Sequence, residues 1–369
     1  MDRSDRISAL ERLKKRTLSA ATVDWTDISR NIKAGTVLPV IGNALRNDGI
    51  FNWYFKTEGI PGNNQAIITV DDYLALRWAD FLEYPLMDTT NLARVAIYNR
   101  VLSKSDVEAR ENYLLFLKGI LLEAAGADPR VQDQVPQLEG QIEQRSFSDL
   151  VVELDYPSLP SGKEDPLRCL ARMHLPLYIT TSYYDFLERA LEAEGYPPHT
   201  QICFWSGEPA SVEAGHRTQH GLELNRDNPV VYHLFGLERY PSTMVVSEGD
   251  YMDYLMRLTR DTNTQNPILP LYLTDALASA KLILMGYRLQ DWDFRILYRL
   301  IGDSKLRPSS LLVQVDPKQL ARDILKSEEV RKYLEKYFQD KSFIIHWGNP
   351  DEFVYQLCAE YKKWTQAES

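Results

Sequence analysis

Five short segments carry the residue types that chemistry on a phosphorylated ligand needs. Gly42-Asn43-Ala44 is followed by the polar turn Arg46-Asn47-Asp48-Gly49. A glycine there lets the backbone approach a phosphate, free amides at the next helix start can hold it, and the Asn43 amide can hold a ribose hydroxyl or a water. Thr180-Thr181-Ser182 stands just before Asp185, His233 before Gly236, and Gly286-Tyr287 before Asp291 and Asp293; Asp316-Pro317 is the fifth segment. His233 and Asp185 are the side chains able to act as a general base. Plainer roles are open to each: a satisfied core histidine for His233, a strand end for Thr180 and Thr181, a helix cap for Asp291 and Asp293. Neither G-x-G-x-x-G nor a Walker A lysine motif is present, so the two commonest nucleotide fingerprints are missing.

These segments need elements to position them. Residues 36–41, 175–181, 230–236, 281–286, 310–316 and 342–346 are short apolar or β-branched runs, the pattern of strands buried on both faces. Most are followed by a helical pattern, and alternating β and α segments predict a parallel sheet. Ligands of such a sheet bind beyond the carboxyl ends of its strands, where all five segments fall. Residues 1–34 read as two amphipathic helices, marked by Ile7, Leu10, Leu13 and Leu18 and then by Trp25, Ile28 and Ile32. Residues 71–150 are rich in Leu, Ala, Arg and Glu with helical spacing at Leu114, Leu117, Leu121 and Leu122, and read as a helical insert. The expected fold is thus α/β, a Rossmann-like parallel sheet with a helical insert subdomain. Its core comprises residues 35–70 and 151–369, and residues 195–229 read as an irregular excursion.

Composition narrows the function. The chain has 369 residues and a formal net charge of −10, which argues against direct grip on nucleic acid. Cys169, Cys203 and Cys358 are too few and too scattered for a disulfide framework or a four-thiolate zinc site, and the histidines lack metal-ligand spacing. No metal is expected. A charged N-terminus and the lack of an 18-residue apolar stretch predict a cytoplasmic chain that does not enter a membrane.

Taken in order, the five segments resemble the sirtuin-like NAD-consuming family. Gly42-Asn43-Ala44 with Gly49-Ile50-Phe51 is similar to its Gly-Ala-Gly loop, and Thr180-Thr181-Ser182-Tyr183-Tyr184-Asp185 to its Thr-Thr-Asn-x-Asp segment. His233-Leu234-Phe235-Gly236 is similar to its His-Gly strand end, with Phe235 where the family carries the histidine and Ser182 where it carries the asparagine. Ser247-Glu248-Gly249-Asp250-Tyr251 and Gly286-Tyr287-Arg288-Leu289-Gln290-Asp291-Trp292-Asp293 complete the set; the last resembles the bacterial antiphage branch. Trp347-Gly348-Asn349-Pro350-Asp351-Glu352-Phe353 is similar to members paired with a HerA-type ATPase.

The resemblance implies an NAD hydrolase that depletes NAD in antiphage defence, acting as a homo-oligomer with a HerA-type hexameric ATPase. Its alternative is a catalytically silent NAD- or ADP-ribose-binding scaffold that regulates that partner. NAD is the substrate, so no separate cofactor is implied. The implied catalytic residues are His233, Asn43 and Asp185. Ligand contacts fall to Gly42, Ala44, Asn47, Asp48, Thr180, Thr181, Ser182, Gly236, Gly286, Tyr287, Asp291 and Asp316.

Overall fold

The computed structural model describes residues 23–58, 69–159, 162–207, 212–219, 221–260, 267–289, 291–302, 308–315, 324–339 and 342–368. The first of the two amphipathic N-terminal helices and Asp316 lie outside them.

Among the described residues seven strands are formed: β1 Val37–Ile41, β2 Leu177–Thr180, β3 His199–Ile202, β4 Val230–His233, β5 Lys281–Met285, β6 Ser310–Gln314 and β7 Phe343–Trp347. They make one sheet in the order β3-β4-β2-β1-β5-β6-β7, every pairing parallel. The expected Rossmann-like α/β fold is the one observed. β1, β2, β4, β5 and β6 are buried along their whole length, because helices cover both faces of the sheet. β3 corrects the reading of residues 195–229 as irregular. With the sequence His-Thr-Gln-Ile it has no apolar run, and it forms by adding to the edge of β4 with its last two residues buried.

Pro39 stands in the central strand, where a missing backbone donor is normally excluded. Gly42 donates its N–H to Met285 O of β5. Donors alternate sides along a strand, so the Pro39 nitrogen faces β2, and the β1–β2 ladder begins only at Val40 and Ile179. The proline therefore costs no ladder bond.

Helix α1 (Trp25–Ala34) is capped by Asp24, which accepts from Asp27 N, and stops at Gly35 in the left-handed region. α2 (Ala44–Glu58) follows β1. Residues 70–153 then run through α3 (Val70–Phe81), α4 (Leu92–Leu102), α5 (Asp106–Gly126), α6 (Val135–Glu139) and α7 (Phe147–Glu153), with no strand among the described residues. Thr69 and Ser146 open α3 and α7 with reciprocal capping boxes to Asp72 and Asp149. The remaining α-helices among the described residues are α8 (Pro166–Ala171), α9 (Phe186–Ala193), α10 (Glu248–Arg260), α11 (Leu271–Ser279), α12 (Trp292–Ile301), α13 (Ile324–Gln339) and α14 (Pro350–Glu368). No helix among the described residues is long and apolar enough to cross a membrane.

Two buried polar ties join the helical stretch to the sheet. Arg110 of α5 pairs with Asp250 of α10 at 2.9 Å, and the other oxygen of Asp250 accepts from Val246 N and Ser247 N. Glu238 accepts from Phe147 N at 2.7 Å, from Ser148 N at 3.0 Å and from the Ser148 hydroxyl. Burial pushes the Glu238 carboxyl up to about 7 against the pull of those donors.

Candidate active site

The chain leaves β1 for β2 on one side and returns to β5 on the other. β1 and β5 therefore flank the topological switch point, where α/β sheets bind ligands. Gly42 and Gly286 meet there. A methyl group placed on Gly42 would lie 2.3 Å from Gly286 O, and one on Gly286 would lie 2.8 Å from Leu45 N. Gly286 has φ +77, which glycine tolerates best. Glycine at both positions brings the first turn of α2 directly onto the end of β5.

That turn carries Ala44, Asn47 and Asp48 just past Asn43, whose carbonyl accepts from Arg46 N and Asn47 N. The Asn47 side-chain amide donates to Asp71 Oδ1 at 3.2 Å. Among the described residues, Oδ1 of Asn43 and Oδ1 of Asn47 are buried and accept no hydrogen bond. Leaving a buried acceptor unpaired costs about 1–3 kcal/mol, and a bound N–H or O–H group recovers it.

Opposite stands the end of β2. Thr180 donates to Ile41 O at 3.1 Å and accepts from Ser182 N at 2.9 Å, which fixes the turn. The Thr181 hydroxyl lies 3.3 Å from the Tyr287 hydroxyl and 3.4 Å from Asp293 Oδ2. Asp293 also accepts from Phe294 N at 2.6 Å. Burial first, and then the charge of Asp291, push its carboxyl up to about 7. Burial also holds the Tyr287 hydroxyl well above its ordinary value, so it stays protonated as a donor. Asp291 sits at the N-terminal cap of α12 but makes no capping bond there. It accepts from Arg288 Nε at 2.8 Å, while Arg288 Nη1 reaches Asp72 and Thr69. Burial works against the Arg288 charge, and Asp71, Asp291 and Asp72 outweigh it. Arg288 thus clamps the start of α3 to the end of β5.

The structure separates the other implied catalytic residues from this group. His233 is fully buried; its Nδ1 lies 3.0 Å from Ser182 O and its Nε2 lies 2.7 Å from Glu188 Oε1 of α9. A carbonyl only accepts, so Nδ1 carries a proton. Burial disfavours the charged ring, but Glu188 beside it prevails and raises the His233 pKa. Asp185 binds Arg189 Nε at 2.6 Å, and Arg189 also holds Asp149. No hydrogen bond joins His233 or Asp185 to Asn43, Thr181 or Asp291 among the described residues. Phe235 is fully buried edge-on against Tyr251 and Tyr254. Gly236 packs on backbone: a methyl there would lie 2.4 Å from Thr243 O.

The crevice between Gly42, Arg46, Thr180 and Ser182 holds about 20 Å³, the size of a water. Residues 59–68, 290 and 316–323, in the segments after α2, β5 and β6, lie outside the described residues, so Asp316 is not placed. Sequence reading weights Asp291 and leaves Asp293 as a cap, yet Asp293 is the carboxyl facing Thr181. The Asp-x-Asp spacing was its only signal. Glu188 gave none, being one acidic residue on an amphipathic helix.

No curated protein matches the chain. Residues 176–342, from β2 to just before β7, match the family model of the SIR2-like domain, while β1 and its glycine loop lie outside that match and are placed by the sheet alone. Together with the seven-stranded parallel sheet, this match supports a sirtuin-like domain with an NAD-related activity.

Proposed function

We propose that the chain binds NAD at the carboxyl ends of β1, β2 and β5 and hydrolyses its nicotinamide–ribose bond. The observation that carries this reading is the pair of buried, unpaired amide oxygens of Asn43 and Asn47 in the turn that follows β1. NAD brings the matching donors, a carboxamide N–H and ribose hydroxyls.

In the proposed reaction the bond from the ribose carbon to the pyridinium nitrogen breaks, and its electron pair neutralises the ring. Positive charge then develops on the ribose, where polar acceptors lower the barrier. Water adds to that carbon, and its proton passes to the Asp293 carboxylate, whose pKa of about 7 suits a base at neutral pH. Thr181 orients Asp293 from the turn after β2. His233 acts through Ser182 O and is a positioning residue in this scheme. Asn43→Ala is expected to lower nicotinamide release at least tenfold, about 1.4 kcal/mol of barrier, with an unchanged circular dichroism spectrum. Wild-type protein that releases no nicotinamide from NAD sinks the hydrolase reading.

A second reading is a silent scaffold that binds NAD or ADP-ribose and regulates a partner. Its support is Phe235 at the family's histidine position, together with His233 engaged at both ring nitrogens. Saturable ADP-ribose binding without nicotinamide release is its signature. The biological setting we propose is antiphage defence by NAD depletion, with a homo-oligomer docked on a HerA-type hexameric ATPase. The support is the resemblance of residues 286–293 and 347–353. Light scattering on a mixture with such an ATPase is expected to show one co-migrating, symmetric assembly. A monomer that elutes apart from the ATPase refutes the pairing.

A further inference from the structure

A second cavity lies on the far side of His233, outside the proposed NAD crevice. It measures about 560 Å³ and runs between α9, β3 and the turn after Gly236. Small-ligand pockets fall in the range of about 300–1,000 Å³. Asp149, Asp185, Glu188, Glu192 and Glu238 all line it, against Arg189 and Arg239. Arg189 is already taken up by Asp149 and Asp185. Five carboxyl groups against two guanidinium groups leave negative charge in excess; Glu188 shares part of it with His233, and Glu192 carries its own at the exposed side of the helix.

Glu188 supplies the independent observation. The residue is only 6% exposed. Its Oε1 accepts from Thr200 and meets His233, but its Oε2 is buried and accepts nothing among the described residues. A donor from a ligand satisfies that oxygen without displacing His233. No group of three or more acidic, histidine or cysteine side chains among the described residues is close enough to hold one metal ion. The carboxylates are spread out, which suits a spread-out cation. Glu188 and Glu192 are one helical turn apart on α9, about 5–6 Å between Cβ atoms. Three or four methylenes between two ammonium groups span that distance.

We propose that this cavity binds a linear aliphatic polyamine, with one ammonium group on Glu188 Oε2 and the next on Glu192. A terminal ammonium supplies three N–H donors, an internal one two, and neither has an acceptor, matching a wall of carboxylate oxygens. The proposal is independent of the NAD reading, and its test contains no NAD.

Isothermal titration calorimetry with spermidine at low ionic strength is expected to show saturable binding of one molecule per chain. Glu188→Gln should weaken it at least tenfold. That substitution also touches His233, so circular dichroism accompanies it, and Glu192→Lys, on the exposed side of the helix, is the second variant. Glu192→Lys should also weaken spermidine at least tenfold while the fold is retained. Unchanged affinity in Glu192→Lys overturns the proposal. So does an equal saturable heat from magnesium chloride at matched ionic strength, which would mark an unspecific acidic surface. Absence of saturable spermidine binding to the wild type overturns it outright.

Discussion

Gly42→Ala is expected to destabilise the protein by about 3 kcal/mol or more, at the upper end of overpacking costs. The added methyl would lie 2.3 Å from Gly286 O and 2.9 Å from Gly286 C, both backbone atoms. Neither can retreat freely, because Gly42 N donates to Met285 O in the same junction. At roughly 2–4 °C per kcal/mol for a large domain, the melting temperature should fall by about 6–12 °C. Gly119 in α5 is the control, since a methyl there meets nothing within 4 Å. Gly119→Ala should raise stability by about 0.5–1 kcal/mol through helix propensity alone. Differential scanning calorimetry of the two variants reads both signs. Equal, small shifts would mean that the β1–β5 junction is looser than its contacts indicate.

Asp293→Asn should abolish most turnover, by about a hundredfold, the usual contribution of a positioned general base. The pH dependence makes the assignment specific. A base works when deprotonated, so wild-type nicotinamide release should rise with pH through about 7, the value to which burial and Asp291 push Asp293. The residual activity of Asp293→Asn should lack that limb. Stability moves the other way. A carboxyl whose folded pKa is raised contributes stability in acid, and that contribution is lost as pH rises through about 7. Asp293→Asn should therefore gain stability relative to wild type as pH rises from about 4 to about 7, and hold that gain above it. A variant that keeps the limb and the rate transfers the base role elsewhere. One that loses rate but gains no relative stability means the Asp293 pKa is not raised.

Where apolar runs are buried on both faces, sequence and structure agree closely. Residues 281–286 and 310–316 contain β5 and β6, because a strand covered on both sides has no polar alternation to confuse its reading. β3 was illegible for the opposite reason. Only two of its residues face the core, and its pairing depends on the neighbouring edge rather than on its own pattern. At the site, the sequence located the strand ends but not the directions of their side chains. His233 stands at a strand end as expected, yet its ring faces Glu188 on α9. Thr181 instead faces Tyr287 and Asp293 after β5. One strand end presents side chains to both faces of the sheet, so proximity along the chain could not tell which residues share a cavity.

β1 is made long before anything exists for it to pair with. Its nearest partner residues, in β2, lie 139 positions further along the chain. At synthesis rates of about 5–20 residues per second, that interval is roughly 7–28 s, and β5 comes later still. For that time a fully apolar strand is exposed to the strands of other nascent chains. Pro39, which costs nothing in the finished sheet, removes a donor from the middle of this segment and so breaks any ladder begun with the wrong neighbour. The residue that looks least suited to a central strand is thus the one placed to interrupt mispairing while the strand bearing the Asn43 turn waits for its place in the sheet.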